Sequence, residues 1–272
     1  MAEFSDELLL GKQTPVVDQY SPDLLYPIPR ETGRDGLSLD PSRAMYGVDL
    51  WHAYEMSWLD DNGKPEVRVG RFSVPADSPN MIESKSFKLY LNSLNNTRFQ
   101  SEEDLLAVIA RDVSAATGAA VALELLPVTS PALGGAVPEG ECIDGHSINA
   151  SAGSPAADTL RTTGEGIEES LHSHLLRSLC PVTGQPDWAS VWIHYRGQSL
   201  DHCSLLRYII AFRQHQEFHE QCVERMFSDI GSVTQADVLH IQAFYTRRGG
   251  MDINPFRSTD PGARPRPRMN RQ

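Results

Sequence analysis

An α+β fold in two modules is what this 272-residue sequence predicts, and three observations carry that reading. Strand-like alternation opens each half of the chain. Helical periodicity follows it and then gives way to strands again. A stretch rich in Pro, Gly, Ser and Ala separates the halves. Two runs of strand, strand, helix, helix, strand, strand fit antiparallel sheets with helices packed on one face. The predicted modules are residues 1–150 and 151–272.

The elements follow in chain order. Tyr46 to Leu59 and Glu66 to Ala76 alternate as strands, joined by Asp60-Asp61-Asn62-Gly63, whose Asn-Gly pair is a strong hairpin signal. Glu83 to Leu94 reads as a helix with Phe87, Leu91 and Leu94 on one face. Ser101-Glu102-Glu103-Asp104 is a capped acidic start to a second helix, with Leu105, Val108, Ile109 and Val113 as its apolar stripe. Ala119 to Leu126 reads as a strand. Between Pro127 and Asp158 only a short strand, Glu141 to Ala150, is legible. The second half predicts a strand from about Glu165 toward Cys180 and another over Trp188 to Arg196. Helices follow at Asp201 to Arg213 and Glu217 to Ile230, then strands at Val238 to Arg247 and Met251 to Phe256 with Gly249-Gly250 between them.

Composition narrows the function. Hydrophobic residues make up 40%, yet no apolar run approaches the roughly 20 residues of a spanning helix. The start, Met1 to Glu7, is acidic and precedes only Leu8 to Leu10, unlike a secretory signal, so a cytoplasmic protein is expected. The net charge of −12 argues against nucleic acid as a partner, because phosphate binding is driven by Lys and Arg. A small-molecule substrate follows from that. Arg257, Arg264, Arg266, Arg268 and Arg271, set among prolines, are expected to form a solvated, mobile end. Cys142, Cys180, Cys203 and Cys222 have no CxxC spacing, so reduced thiols are expected rather than disulfides or a four-sulfur zinc site.

Four segments carry chemistry. Cys180-Pro181-Val182-Thr183-Gly184-Gln185-Pro186-Asp187 sets a thiol and a carboxyl on a stiff turn, as covalent catalysis requires. A buried cysteine beside a solvated aspartate is the commoner meaning of such a pair taken alone. Glu83-Ser84-Lys85-Ser86-Phe87-Lys88 lies at a helix start, where free N–H groups favour anions, although spacing alone more often describes an ordinary capped helix. His215, His219 and Cys222 have helical spacing that suits a metal, while Cys222 also fits an apolar stripe with Val223, Met226 and Phe227. Arg247-Arg248-Gly249-Gly250 puts two guanidinium groups at a glycine turn, where a backbone can approach a phosphate. Neither a Rossmann nor a P-loop signature is present in the sequence. A thiol hydrolase pairing Cys180 with His219, and a purine-binding module without catalysis, are the competing readings.

Taken together, ESKSFKLYLNS at 83–93, CPVTGQPDW at 180–188, EFHEQCVER at 217–225 and YTRRGGMDINPFR at 245–257 resemble the NADPH-dependent 7-cyano-7-deazaguanine reductases. These are the nitrile reductases of queuosine biosynthesis, and the likeness is to their long two-module form. It runs from about Leu10 to Arg257 and is weakest over Pro127 to Leu160 and in the tail. The resemblance implies tandem tunnelling-fold modules, a homodimer and no metal, with the working site formed where modules meet. It implies Cys180 as nucleophile and Asp187 as proton donor, with His219 beside the reacting carbon. It further implies Glu83 and Glu220 on the deazaguanine edge, Ser84 and Lys85 lining the same pocket, and Phe218 packed near the base. Lys85, Ser86, Arg248 and Gly249 would contact NADPH, two of which are consumed per turnover as the nitrile passes through a thioimide to the amine.

Overall fold

The computed structural model describes residues 17–37, 43–149 and 153–272. The acidic start and Leu8 to Leu10 lie outside the described residues, as does Ala150. Among the described residues, eleven strands and five α-helices are arranged as β1 (Pro27–Pro29), α1 (Glu31–Arg34), β2 (Tyr46–Leu59), β3 (Pro65–Pro75), β4 (Asn80–Ile82), α2 (Ser84–Ser93), α3 (Glu102–Thr117), β5 (Ala122–Leu126), β6 (Glu141–Cys142), β7 (Thr162–Ser173), β8 (Arg177–Leu179), β9 (Pro186–Leu200), α4 (His202–Ala211), α5 (His219–Thr234), β10 (Val238–Tyr245) and β11 (Met251–Ser258). No helix among the described residues is long and apolar enough to cross a membrane.

The chain divides into two compact units, and their segments interleave in sequence. The first takes the described residues of Met1–Thr32, Leu50–Leu133 and Arg247–Asp252; the second takes those of Gly33–Asp49, Gly134–Thr246 and Ile253–Gln272.

In the first unit β5, β3 and β2 are neighbours in that order, and β1 pairs with β4. The β2–β3 turn closes as its residues dictate. Asp60 Oδ1 accepts the N–H groups of Asn62 and Lys64, each at 2.9 Å, and Gly63 takes φ 83°, a conformation that glycine adopts without strain. Ser101 caps α3 by accepting the Asp104 N–H at 3.1 Å, and Gly118 ends that helix in the left-handed region. Trp51, Phe72 and Phe87 form the aromatic centre, with edge-on ring pairs at 5.3 Å and 4.9 Å.

The second unit orders its strands β11-β10-β9-β7-β6, with β8 paired to β9. The β7–β9, β8–β9, β9–β10 and β10–β11 pairs are antiparallel, whereas β6–β7 is parallel. Helices α4 and α5 bury Leu205, Leu206, Ile209, Val223, Met226 and Ile230 in one core with Val191, Ile193 and Tyr195 of β9. The alternation of β9 sends Trp192 and His194 to the opposite face. There Trp192, His194 and His240 stack as near-parallel rings, with His194 and His240 5.5 Å apart.

Three expectations are corrected. The Arg/Pro tail is not a solvated end: Met269 is buried in a cluster with Trp192, Phe244 and Phe256, and the Arg266 guanidinium lies 4.5 Å from the Trp192 ring. The Arg266 N–H donates to Gln242 Oε1 at 2.7 Å, and Ala136 N–H donates to the Arg268 carbonyl at 2.7 Å. A proline-rich backbone keeps its carbonyls free, and the arginines find an aromatic face to cover. The predicted single strand from Glu165 to Cys180 breaks after Ser173, because Asp144 accepts the Ser173 hydroxyl at 2.6 Å and the His174 N–H at 2.9 Å. Side-chain acceptors of this kind compete with a strand ladder. Of the strand predicted over Glu141 to Ala150, the described residues form only Glu141–Cys142.

Candidate functional site

Cys180 and Asp187 are placed by a tight hairpin in the second unit. Ser178 pairs with Asp187 and Leu179 with Pro186. The Cys180 N–H then donates to the Gln185 carbonyl and the Gly184 N–H to the Cys180 carbonyl, both at 2.9 Å. Gly184 supplies the positive φ, 67°, that closes the loop. Cys180 lies two residues beyond Ser178, and Asp187 is Ser178's cross-strand partner. Period-2 alternation therefore turns Cys180, Ser178 and Asp187 to one face. The aspartate belongs to β9 rather than to the loop where the sequence put it. Thiol and carboxyl are both largely buried, at 7% and 5% exposure.

The start of α5 brings the third group. His219 Nε2 stands 3.3 Å from Asp187 Oδ2. Its ring stacks flat on Tyr245, with centroids 3.6 Å apart and planes 8° from parallel. Tyr245 in turn interacts with Cys222 and Ser178. Burial pushes the Tyr245 hydroxyl well above its ordinary range, and the Cys222 thiol is raised first by burial and then by Glu217. Both therefore stay protonated and neutral, and Tyr245 lies flat against the imidazole. The three residues of the metal alternative face different partners: His215 Nε2 meets Glu217 at 3.0 Å, His219 meets Asp187, and Cys222 is fully buried on the apolar side of α5. Glu217 also pairs with Arg225, and these partners outweigh burial to lower its pKa. Phe218 precedes α5 with its N–H on Gln221 Oε1 at 3.2 Å, and Glu220 is buried in the helix's first turn.

The first unit holds the other motifs. Glu83 is fully buried and caps α2 with both oxygens, accepting Lys85 N–H at 2.8 Å and Ser86 N–H at 2.7 Å. Burial raises its pKa, against the pull of those two N–H groups and of the Lys85 charge. The Ser86 hydroxyl is likewise buried, donating to the Glu83 carbonyl at 2.7 Å and accepting the Tyr26 N–H at 3.0 Å. That burial gives Ser86 a part in holding the turn that carries Ser84 and Lys85. Arg248 and Met251 exchange backbone hydrogen bonds at 2.8 and 3.0 Å across Gly249 and Gly250, whose φ values are 56° and 80°. Two successive positive φ values make this a type I′ turn, and both glycines are required for it. A Cβ on Gly249 would come within 3.4 Å of Lys88 Nζ, which itself pairs with Glu55 at 3.2 Å. The α2 helix and the double-glycine turn are thus neighbours.

Sequence reasoning missed the residues of β2 beside that turn. Arg247 lies over the Tyr54 ring at 3.4 Å, the Tyr54 hydroxyl donates to Asp252, and His52 Nδ1 meets Asp252 Oδ1 at 2.8 Å. The signal was available: His52 and Tyr54 are polar residues two apart, on one face of a strand whose neighbours Trp51 and Ala53 are buried.

Two family models match the chain. One, described as nitrile reductase, 7-cyano-7-deazaguanine-reductase N-term, covers residues 16–125, and the other, a QueF-like protein, covers residues 186–263. The chain is similar to the NADPH-dependent 7-cyano-7-deazaguanine reductase of Dechloromonas aromatica, with 53% identity over 94% of this chain and 92% of the relative. Its counterparts in Bordetella pertussis and Chromohalobacter salexigens are 50% and 49% identical, again over 94% of this chain, and over 94% and 92% of their own lengths. With that identity along almost the whole length, the chain belongs to the family of NADPH-dependent 7-cyano-7-deazaguanine reductases.

Proposed function

We propose that this protein reduces the nitrile of 7-cyano-7-deazaguanine to the aminomethyl group, using Cys180 as a covalent nucleophile and two NADPH per turnover. The observation that carries the reading is the Cys180–Asp187 hairpin face with His219 on the Asp187 carboxyl. The supplier of hydride is NADPH, and the exposed arginines at a glycine turn fit it. Arg248 and Gly249 are assigned to it together with Lys85, and Ser86 supports the turn from within.

A nitrile is a weak electrophile. Addition of the Cys180 sulfur to its carbon, with a proton delivered to nitrogen, gives a thioimide that accepts hydride far more readily. After the first hydride and proton, the product is a hemithioaminal. Cleavage of its C–S bond returns the thiol and leaves an imine, which a second hydride and proton convert to the amine. Asp187 is assigned as the acid at nitrogen, with His219 exchanging protons with it. Glu83 and Glu220 are assigned to the deazaguanine edge, with Ser84 and Lys85 lining that pocket and Phe218 against the ring. Buried carboxylates suit an amidine-like donor edge, because they accept two hydrogen bonds at once. Around this chemistry we place the finer architecture as well: tandem tunnelling-fold modules, a homodimer, a cytoplasmic setting, free base rather than tRNA as substrate, and a product destined for queuosine.

Loss of NADPH absorbance on adding 7-cyano-7-deazaguanine tests the reading, with an expected ratio of two NADPH oxidised per amine formed. Release of ammonia and a carboxylate without NADPH would instead establish the thiol hydrolase, and base binding without turnover the non-catalytic module. Asp187→Asn is expected to slow both adduct formation and reduction by roughly a hundredfold, the usual span for a lost general acid. Wild-type rates in both steps would remove Asp187 from that role.

A further inference from the structure

The second unit carries another thiol in contact range of two imidazoles, away from the Cys180 hairpin. The two-residue strand β6 runs parallel to β7 with Cys142 in register with His172. His172 lies in β7 and His174 just past its end. One ligand atom from each of Cys142, His172 and His174 lies within 4.8 Å of the others. The imidazoles meet edge to face, with centroids 5.3 Å apart.

Two further observations separate this group from a chance cluster. The His172 side chain is 8% exposed, and its Nδ1 has no hydrogen-bond partner. A buried ring nitrogen left without a partner is costly, and a bound cation removes that cost. The backbone of Glu139 and Gly140 interacts with the same ring. The unpartnered Nδ1 is the ring atom open to a ligand. His174 is oriented in the complementary sense, its Nδ1 held by Ser190 Oγ at 2.8 Å, which leaves Nε2 free. His174 is thus fixed through one nitrogen and open through the other, the usual arrangement of a metal-binding histidine. Gly140 brings β6 close enough: its φ is 87°, and a Cβ there would fall 2.1 Å from the Ser170 carbonyl.

We propose that Cys142, His172 and His174 form a zinc site that fastens the short edge strand β6 to β7. One thiolate and two imidazoles are a borderline-soft donor set that suits zinc and excludes magnesium or calcium. Ligand atoms around tetrahedral zinc stand about 3.3–3.6 Å apart, so the three groups close by roughly an ångström on binding, and the exposed Cys142 supplies that freedom. The thiol releases its proton as it binds, and water takes the fourth position. The site has no part in nitrile reduction. It ties residues of the Pro/Gly/Ser-rich stretch, the region with the weakest sequence signal, to the sheet.

Titration of the reduced, metal-free, full-length protein with Co²⁺ tests this. The expected result is one Co²⁺ per chain with a thiolate-to-cobalt charge-transfer band and intense tetrahedral d–d bands, all displaced by Zn²⁺. Cys142→Ser is expected to abolish the charge-transfer band, and His172→Ala to weaken binding by roughly tenfold or more. Cys180→Ala is expected to keep both. Zn²⁺ raises the Tm of the wild type and leaves that of Cys142→Ser unchanged, while nitrile reduction by Cys142→Ser stays at the wild-type level. A band that survives Cys142→Ser, or the absence of any stoichiometric Co²⁺ complex in the wild type, overturns the proposal.

Discussion

Cys180→Ala is expected to lower nitrile reduction by more than about a thousandfold, a loss of about 4 kcal/mol of transition-state stabilisation. It is also expected to erase the thioimide absorbance that forms when wild-type protein meets 7-cyano-7-deazaguanine without NADPH. Both readouts are needed, because slow reduction alone would equally follow from a displaced hairpin. The hairpin itself is held by backbone bonds, Cys180 N–H to Gln185 and Gly184 N–H to Cys180, which alanine preserves. Truncating a side chain with 7% exposure leaves a small cavity and little else. Base binding is therefore expected to survive in the variant, measured by isothermal titration. An alanine variant that still turned over the nitrile would show that hydride reaches the substrate without a covalent step.

The elements that follow from local chemistry were legible in the sequence. Ser101 starts α3, and the Asn62-Gly63 turn joins β2 to β3, because caps and turns are decided by a few neighbouring residues. Long-range packing was not legible. Arginines and prolines predict a solvated tail, yet Arg266 covers Trp192 and Met269 is buried, contacts that no window of local sequence contains. The same limit applies to the candidate site. Motifs named Cys180, Asp187 and His219, but the face shared by Cys180 and Asp187 follows from the register of β8 on β9. Tyr245 as the platform for His219 depends on β10 lying beside β9. The spacing of His52 and Tyr54 is local, but their partner Asp252 lies about 200 residues away in sequence, which no local pattern shows.

Arg257 is the position where a single change is expected to cost the fold most. Its side chain is completely buried, with Nη1 2.8 Å from Asp49 and Nη2 2.8 Å from Glu224. Arg34 grips the same Glu224 at 2.7 Å. Arg257→Met leaves Asp49 buried opposite an apolar group, and stranding a buried charge in this way costs about 3–5 kcal/mol. The urea midpoint reads that loss directly, and a loss below about 1 kcal/mol would mean that the cluster relaxes or hydrates. Acid offers an independent measure. Burial alone would raise the pKa of Glu224, but Arg257 and Arg34 override it and hold the carboxyl at about 2, against an ordinary value of 4.5. A folded-state pKa below the unfolded one contributes stability that is complete above the unfolded value and lost as pH falls through the folded one. A depression of this size corresponds to about 3 kcal/mol, present at pH 6 and disappearing between about pH 5 and pH 2. Glu224→Gln is therefore expected to flatten the wild-type loss of stability across that window. An acid profile for the variant as steep as that of the wild type would place the acid lability in other carboxylates.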